Sequence, residues 1–428
     1  MDLVVRQAKL RNKEGLWDIG IDNGKFKAVE RKLQIKGREE IDASGNLVSP
    51  PFIDPHLHLD AVLSVGDPRY NESGTLLEGI EIWGERKKTL TKEIIKKNAL
   101  EAIKWAVVNG TLKIRTHVDT TDPTLKTVEA LVEIREEVKD LIDLQIVAFP
   151  QDGIFTFPDG ADLMRRAVEM GADVIGGIPH NEFTREDGVK DVEFVYDLAE
   201  KTGSLIDIHI DETGDDQSRF VEVMAKESIN RGMQGLATAS HTTAMHNYNN
   251  DYAFKLIGLL KRSEMNMITN PFDNSVLQNR TDGYPRRRGH TRVDELLARG
   301  VTVSIGHDSI MDPWYPMGKG SMLSAANLLL HTAHMSGYSQ FAQLFDMITE
   351  YSAVTMNMAS DYGIKEGNTA DFIVIDAVDE MEALRLVSEC LYVVRKGRIV
   401  SRSVPAQISF EGFSGKKEPV DFKLSRSQ

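Results

Sequence analysis

Apolar residues are arranged along this chain in two different ways. From about residue 50 to residue 365, short and nearly continuous apolar runs alternate with longer stretches in which apolar side chains recur every three or four positions. The runs predict strands at 47–59, 113–119, 144–151, 174–180, 205–212, 236–241, 265–271 and 301–308. The stretches between them predict helices, among them 91–109, 123–140, 217–231, 252–264 and 292–299. In the first of these, Ile94, Ala99, Ile103 and Ala106 fall on one apolar face. Strands that are apolar on both faces and separated by helices belong to a parallel sheet covered on both sides. Eight such units close into an α/β fold of the (β/α)8 TIM barrel type.

The two ends read differently. Residues 4–10, 17–21 and 25–29 are short strand-like runs separated by turns containing Asn and Gly. The same texture returns at 371–375 and 391–400, which read as two strands and a hairpin. The expectation is that both ends pair into one small β-sandwich domain, residues 1–49 with 366–428, beside a barrel at 50–365.

Composition narrows the function. The chain has 428 residues, enough for a large barrel and an added domain, and a formal charge of -14. That charge argues against a nucleic acid polymer as partner, since binders of a phosphate backbone carry a basic stripe. The runs Arg286-Arg287-Arg288 and Lys96-Lys97 are short and suit a solvated face. A single cysteine, Cys390, leaves no intrachain disulfide and no thiolate cluster. The N-terminus does not read as a signal peptide and no apolar run reaches bilayer length, so a cytoplasmic protein with no membrane contact is expected.

The chemistry collects at the strand ends. His56 and His58 stand one residue apart, and a strand turns alternate side chains to the same face, so both imidazoles aim at one point. Two converging neutral imidazoles begin a metal site. Alone the pair is a weak signal. The second predicted strand ends in His117 and Asp119, the third in Gln151, the fourth in His180, and the fifth in His209-Ile210-Asp211-Glu212. The sixth ends in Ser240-His241, the seventh in Asn270-Pro271 and the eighth in His307-Asp308. Polar groups recurring at equivalent places in the repeat are not expected of scattered core histidines, and barrel chemistry sits at those ends.

The set His56, His58, His209, His241 and Asp308 resembles the amidohydrolase superfamily, and within it the bacterial cytosine deaminases. The matching stretches are 73–76, 148–151, 183–186, 216–220, 239–246 and 312–316. The resemblance implies one divalent ion per subunit, Fe²⁺ or Zn²⁺, held by His56, His58, His209 and Asp308 with a position open for water. It makes Glu212 the proton carrier to the ring nitrogen, His241 the partner of the attacking water, and Asp308 both ligand and proton acceptor. Gln151 reads a cyclic N–C=O edge, with the Leu76 backbone a second candidate, and Phe149 and Trp314 cover the flat ring. Relatives assemble into homo-oligomers, and the same is expected here. The fourth predicted strand ends without the lysine that would bridge two metals, which favours a single ion.

For His117, Asp119, His180 and His307 two readings stand open: hydrogen-bond partners that orient a ligand, or satisfied core residues, the commoner outcome. The chain departs from its relatives at Ser309, where a second aspartate is usual and where the C5 edge of the pyrimidine lies. A smaller neutral side chain opens space for an apolar substituent, and one methyl group shifts discrimination by about 1–3 kcal/mol. The expected reaction is therefore hydrolytic deamination of a free nucleobase, cytosine to uracil or 5-methylcytosine to thymine. Deamination of another amidine ring such as isoguanine or creatinine, hydrolysis of a cyclic amide, and metal storage are the alternatives. A second departure, within 272–276, has no role assigned from the sequence.

Overall fold

The computed structural model describes residues 1–412 and 415–423. Its centre is a parallel barrel of eight strands: β1 Phe52–Leu57, β2 Thr111–Asp119, β3 Asp143–Phe149, β4 Val174–Ile175, β5 Leu205–Ile210, β6 Ala237–His241, β7 Asn266–Thr269 and β8 Thr302–Ile305. Each pairs in parallel with the next in sequence. The ring closes between β8 and β1 by one isolated bridge, Leu57 to Asp308. There the Asp308 N–H donates to His56 O at 2.8 Å and the His58 N–H to Asp308 O at 3.0 Å.

Strands and helices appear where the pattern places them, with three informative differences. The run 47–59 is two strands, not one: Leu47–Ser49 enters the small sheet and Phe52–Leu57 the barrel. Pro50 and Pro51 lie between them, and two residues without backbone N–H groups cannot continue a ladder. The fourth strand ends at Ile175, because Gly176 and Gly177 pass too close to neighbouring groups. A Cβ there would meet Ala148 O at 2.6 Å and Asp191 Oδ1 at 2.5 Å. His180 consequently sits in a 3₁₀ turn, Pro179–Asn181. In the helix Lys92–Val108, Ile95, Ala99, Ala102, Ile103 and Ala106 face the core, whereas Ile94 is 40% exposed. Ile95 is four residues before Ala99 and takes the core-facing position expected of Ile94.

Both chain ends share one eight-stranded sheet. Leu47–Ser49 lies between Leu3–Leu10 on one side and Phe372–Ile375 on the other. Its core includes Val5, Ile19, Ile21, Phe26, Phe372, Val374 and Val394. Ion pairs tie it to the barrel, among them Arg395, which bonds Asp371 (2.5 Å) and Asp143 (2.6 Å), and Arg11, which bonds Asp346 (2.6 Å). The parts of the expected small domain at 413–414 and 424–428 lie outside the described residues. Among the described residues, no helix is long and apolar enough to cross a membrane.

Candidate active site

A cavity of about 400 Å³ opens at the C-terminal ends of the barrel strands, where this architecture carries its chemistry. On its floor the side chains of His56, His58, His209 and Asp308 converge from β1, β5 and the end of β8. His58 Nε2 lies 3.2 Å from His209 Nε2, and Asp308 Oδ1 lies 3.4 Å from both His56 Nε2 and His58 Nε2. A tetrahedral ion holding nitrogen donors at about 2.1 Å sets them roughly 3.4 Å apart. His56 Nε2 is buried and without any hydrogen-bond partner. The donors and their spacing thus fit a small divalent cation.

Hydrogen bonds behind the cluster set one ring's tautomer. The Ser240 hydroxyl donates to Asp207 Oδ1 at 2.6 Å, so it accepts from His56 Nδ1 at 3.0 Å. The Nδ1–H is then spoken for, and Nε2 presents its lone pair to the cluster. Asp207 in turn pairs with Arg115 at 2.8 Å, both fully buried, and Arg115 also reaches Gln145, Thr238 and the Thr355 carbonyl. Ser240→Ala removes one acceptor and little volume. It is expected to lower metal affinity about 10- to 100-fold with the fold intact, read by competitive chelator titration.

Two residues that would act on substrate are held from β7. His241 and Asp308 both have left-handed backbone, φ 70° and 69°, at the ends of their strands, and such strain collects at functional sites. Asn274 Oδ1 accepts from the Asn270 backbone N–H at 3.1 Å, which turns its amide nitrogen onto His241 Nδ1 at 3.0 Å. Amide nitrogens approach both ring nitrogens of His241, Asn274 at Nδ1 and Asn270 at Nε2 (3.1 Å), and Nε2 lies 3.9 Å from Asp308 Oδ2. Glu212 Oε1 lies 3.5 Å from His241 Nδ1 and accepts from Gln278 Nε2 at 3.2 Å. Burial pushes the Glu212 carboxyl up to about 8, against the pull of Gln278, so it keeps its proton at neutral pH.

The walls of the cavity include Leu76, Ile80, Phe149, Gln151, Ile178, His180, Asp273, Leu277, Ser309 and Trp314. Leu76 is the first residue of the helix Leu76–Lys87, so its N–H has no acceptor within that helix. Phe149 lays its ring on His209 at 4.0 Å and 23°, which makes it a backing for the cluster. Trp314 is the aromatic left to cover a flat ligand. It is fixed by its N–H to Asp312 Oδ1 at 2.9 Å and by close packing on Gly79, where a Cβ would lie 2.4 Å from the indole. Ser309 donates its hydroxyl to Asp273 Oδ2 at 2.6 Å.

Of the residues with two open readings, only His117 touches the cluster, its ring 3.9 Å from that of His56 and both its nitrogens unpartnered. His307 Nδ1 bonds Ser309 O, Asp119 receives Trp83 Nε1 and Lys87, and His180 lies in the cavity wall. Sequence reasoning assigned no role to Arg115, Asp207, Ser240, Asn274 or Gln278. One signal was available: Arg115 and Asp207 each precede a strand-end histidine by two residues, hence share its face.

Comparison with known proteins places the chain in a family. The description of the amidohydrolase family, whose members depend on metal, matches residues 39–401. A 5-methylcytosine deaminase from Klebsiella pneumoniae, solved with 5-fluorocytosine, superposes with a TM-score of 0.93 at 44% identity, covering 95% of this chain and 99% of that one. N-isopropylammelide isopropyl amidohydrolase of Pseudomonas sp. (strain ADP) is 32% identical over 93% of this chain and 97% of its own length. Pterin deaminase of Rhizobium rhizogenes is 29% identical over 85% and 83%. The chain belongs to the amidohydrolase family.

Proposed function

We propose that this enzyme hydrolytically deaminates free cytosine-type bases, with 5-methylcytosine preferred over cytosine, releasing thymine and ammonia. The observation that carries the proposal is that one cavity is lined by a buried carboxyl (Glu212), an amide (Gln151) and a histidine–aspartate cluster. The likeness to the Klebsiella deaminase supports it.

His56, His58, His209 and Asp308 would hold a single divalent cation, which when bound would supply Lewis acidity that lowers the pKa of a water toward neutrality. The protein's residues do the rest. Gln151, with the Leu76 N–H, pairs with the N1–H and C2=O edge of the base, and Trp314 covers its face. Glu212 hands its proton to ring N3 beside the attacked C4. His241 hydrogen-bonds the water and helps its deprotonation, the proton going to the Asp308 carboxylate. The water oxygen bonds to C4, the proton taken by Asp308 passes to the amino nitrogen, the C4–N bond breaks as ammonia leaves, and the remaining hydroxyl proton returns to Glu212 as C4=O forms. No lysine lines the cavity among the described residues, which keeps the reading to one ion and disfavours a cyclic-amide hydrolase.

The preference for a 5-methyl group rests on Ser309. Its hydroxyl is committed to Asp273, so the ring edge meets a small side chain with no free donor. The expected result is a higher kcat/KM for 5-methylcytosine than for cytosine, by about 10-fold or more, measured as ammonia release. Ser309→Asp is expected to reverse the order. A wild-type enzyme with a large preference for unsubstituted cytosine would overturn this assignment.

A further inference from the structure

One carboxyl in the cavity wall has no task in the chemistry above. Asp273 lies in the short helix Pro271–Leu277 that follows β7, and it is 3% exposed. Its Oδ2 accepts the Ser309 hydroxyl, while its Oδ1 has no hydrogen-bond partner in the protein. The residue lines the cavity itself. A buried carboxyl oxygen without a donor, on a residue of a cavity wall, is a position that a ligand N–H completes.

The surroundings say which N–H. Asp273 lines the cavity together with Glu212, Asp308 and Ser309, and its Oδ2 is bonded to Ser309. Asp273 thus stands among Glu212, Asp308 and Ser309. On a cytosine-type base, Glu212 is assigned to N3 and Ser309 to the C5 edge. Between N3 and C5 lies C4 with its exocyclic amino group.

We propose that Asp273 is a specificity-determining residue whose Oδ1 accepts an N–H from the exocyclic amino group of the base. This rests on the cytosine-type reading and deepens it. Ser309 holds the carboxyl by Oδ2, and a proton retained by Asp273 is shared on that side, so Oδ1 is an acceptor in either state. The substrate presents two N–H donors to it. The product presents a carbonyl oxygen at the same place, and two acceptors then face each other. The same contact that recognises the amine therefore disfavours the product and promotes its release.

Asp273→Asn tests this. The amide oxygen keeps the Ser309 bond and the NH₂ turns toward the base, reversing the preference. Expected are a fall in kcat/KM for 5-methylcytosine of about tenfold or more and a fall in the thymine inhibition constant of similar size. Metal content serves as the control. A residue that only supports Ser309 would leave both constants unchanged, and that result overturns the inference. Asp273→Ser, too short to reach the base, is expected to lose kcat/KM without gaining thymine affinity; unchanged kcat/KM there also overturns it. A wild-type enzyme that releases no ammonia from cytosine or 5-methylcytosine overturns the cytosine reading itself. An active wild type beside an unchanged Asp273→Asn variant overturns this inference alone.

Discussion

His58→Ala is expected to reduce ammonia release by about 10⁴-fold or more, because it removes a ligand without which the cation is not retained. The imidazole stands 3.2 Å from that of His209 and 3.4 Å from Asp308, at the centre of the cluster. It is also the ligand nearest the opening, 11% exposed in its side chain, so its truncation leaves a smaller void than loss of the fully buried His56. The measurement pairs elemental analysis of the purified variant with a turnover assay. A variant that keeps a stoichiometric metal and full activity would remove His58 from the ligand set.

Glu212→Gln is expected to lower kcat by about 10²- to 10⁴-fold while leaving metal content unchanged. The substitution keeps the shape of the side chain and the bond from Gln278. What it removes is the proton that burial holds on the carboxyl at neutral pH. Loss confined to kcat separates this from a binding defect, because a proton moved during reaction is felt in the transition state and not in the ground-state complex. A rise in KM with kcat preserved would assign Glu212 to recognition instead.

The barrel and the four ligand candidates were legible in the primary structure because each signal repeats. Apolar runs recur at each strand, and His56, His58, His209 and Asp308 occupy equivalent ends of them. What escaped was local or three-dimensional. The division of 47–59 turned on Pro50 and Pro51, and the early end of β4 on close approach at Gly176 and Gly177. His241 is held by Asn274, in a helix that begins at Pro271 where the pattern suggested strand. The pairing of Ser309 with Asp273 joins two positions 36 residues apart, which no periodicity announces. Polar pairs inside a barrel have no spacing rule, since they are set by which strands face each other across it.

The seam between β8 and β1 is the weakest part of the ring, held by a single bridge at Leu57 and Asp308. His56 and His58 hang from one lip of that seam and Asp308 from the other. A cation held by all three would act as a clasp across the seam, so its binding would add to the stability of the closed cylinder. Resistance to heat should accordingly track free metal concentration, rising by RT ln(1 + [M]/Kd) as the clasp fills.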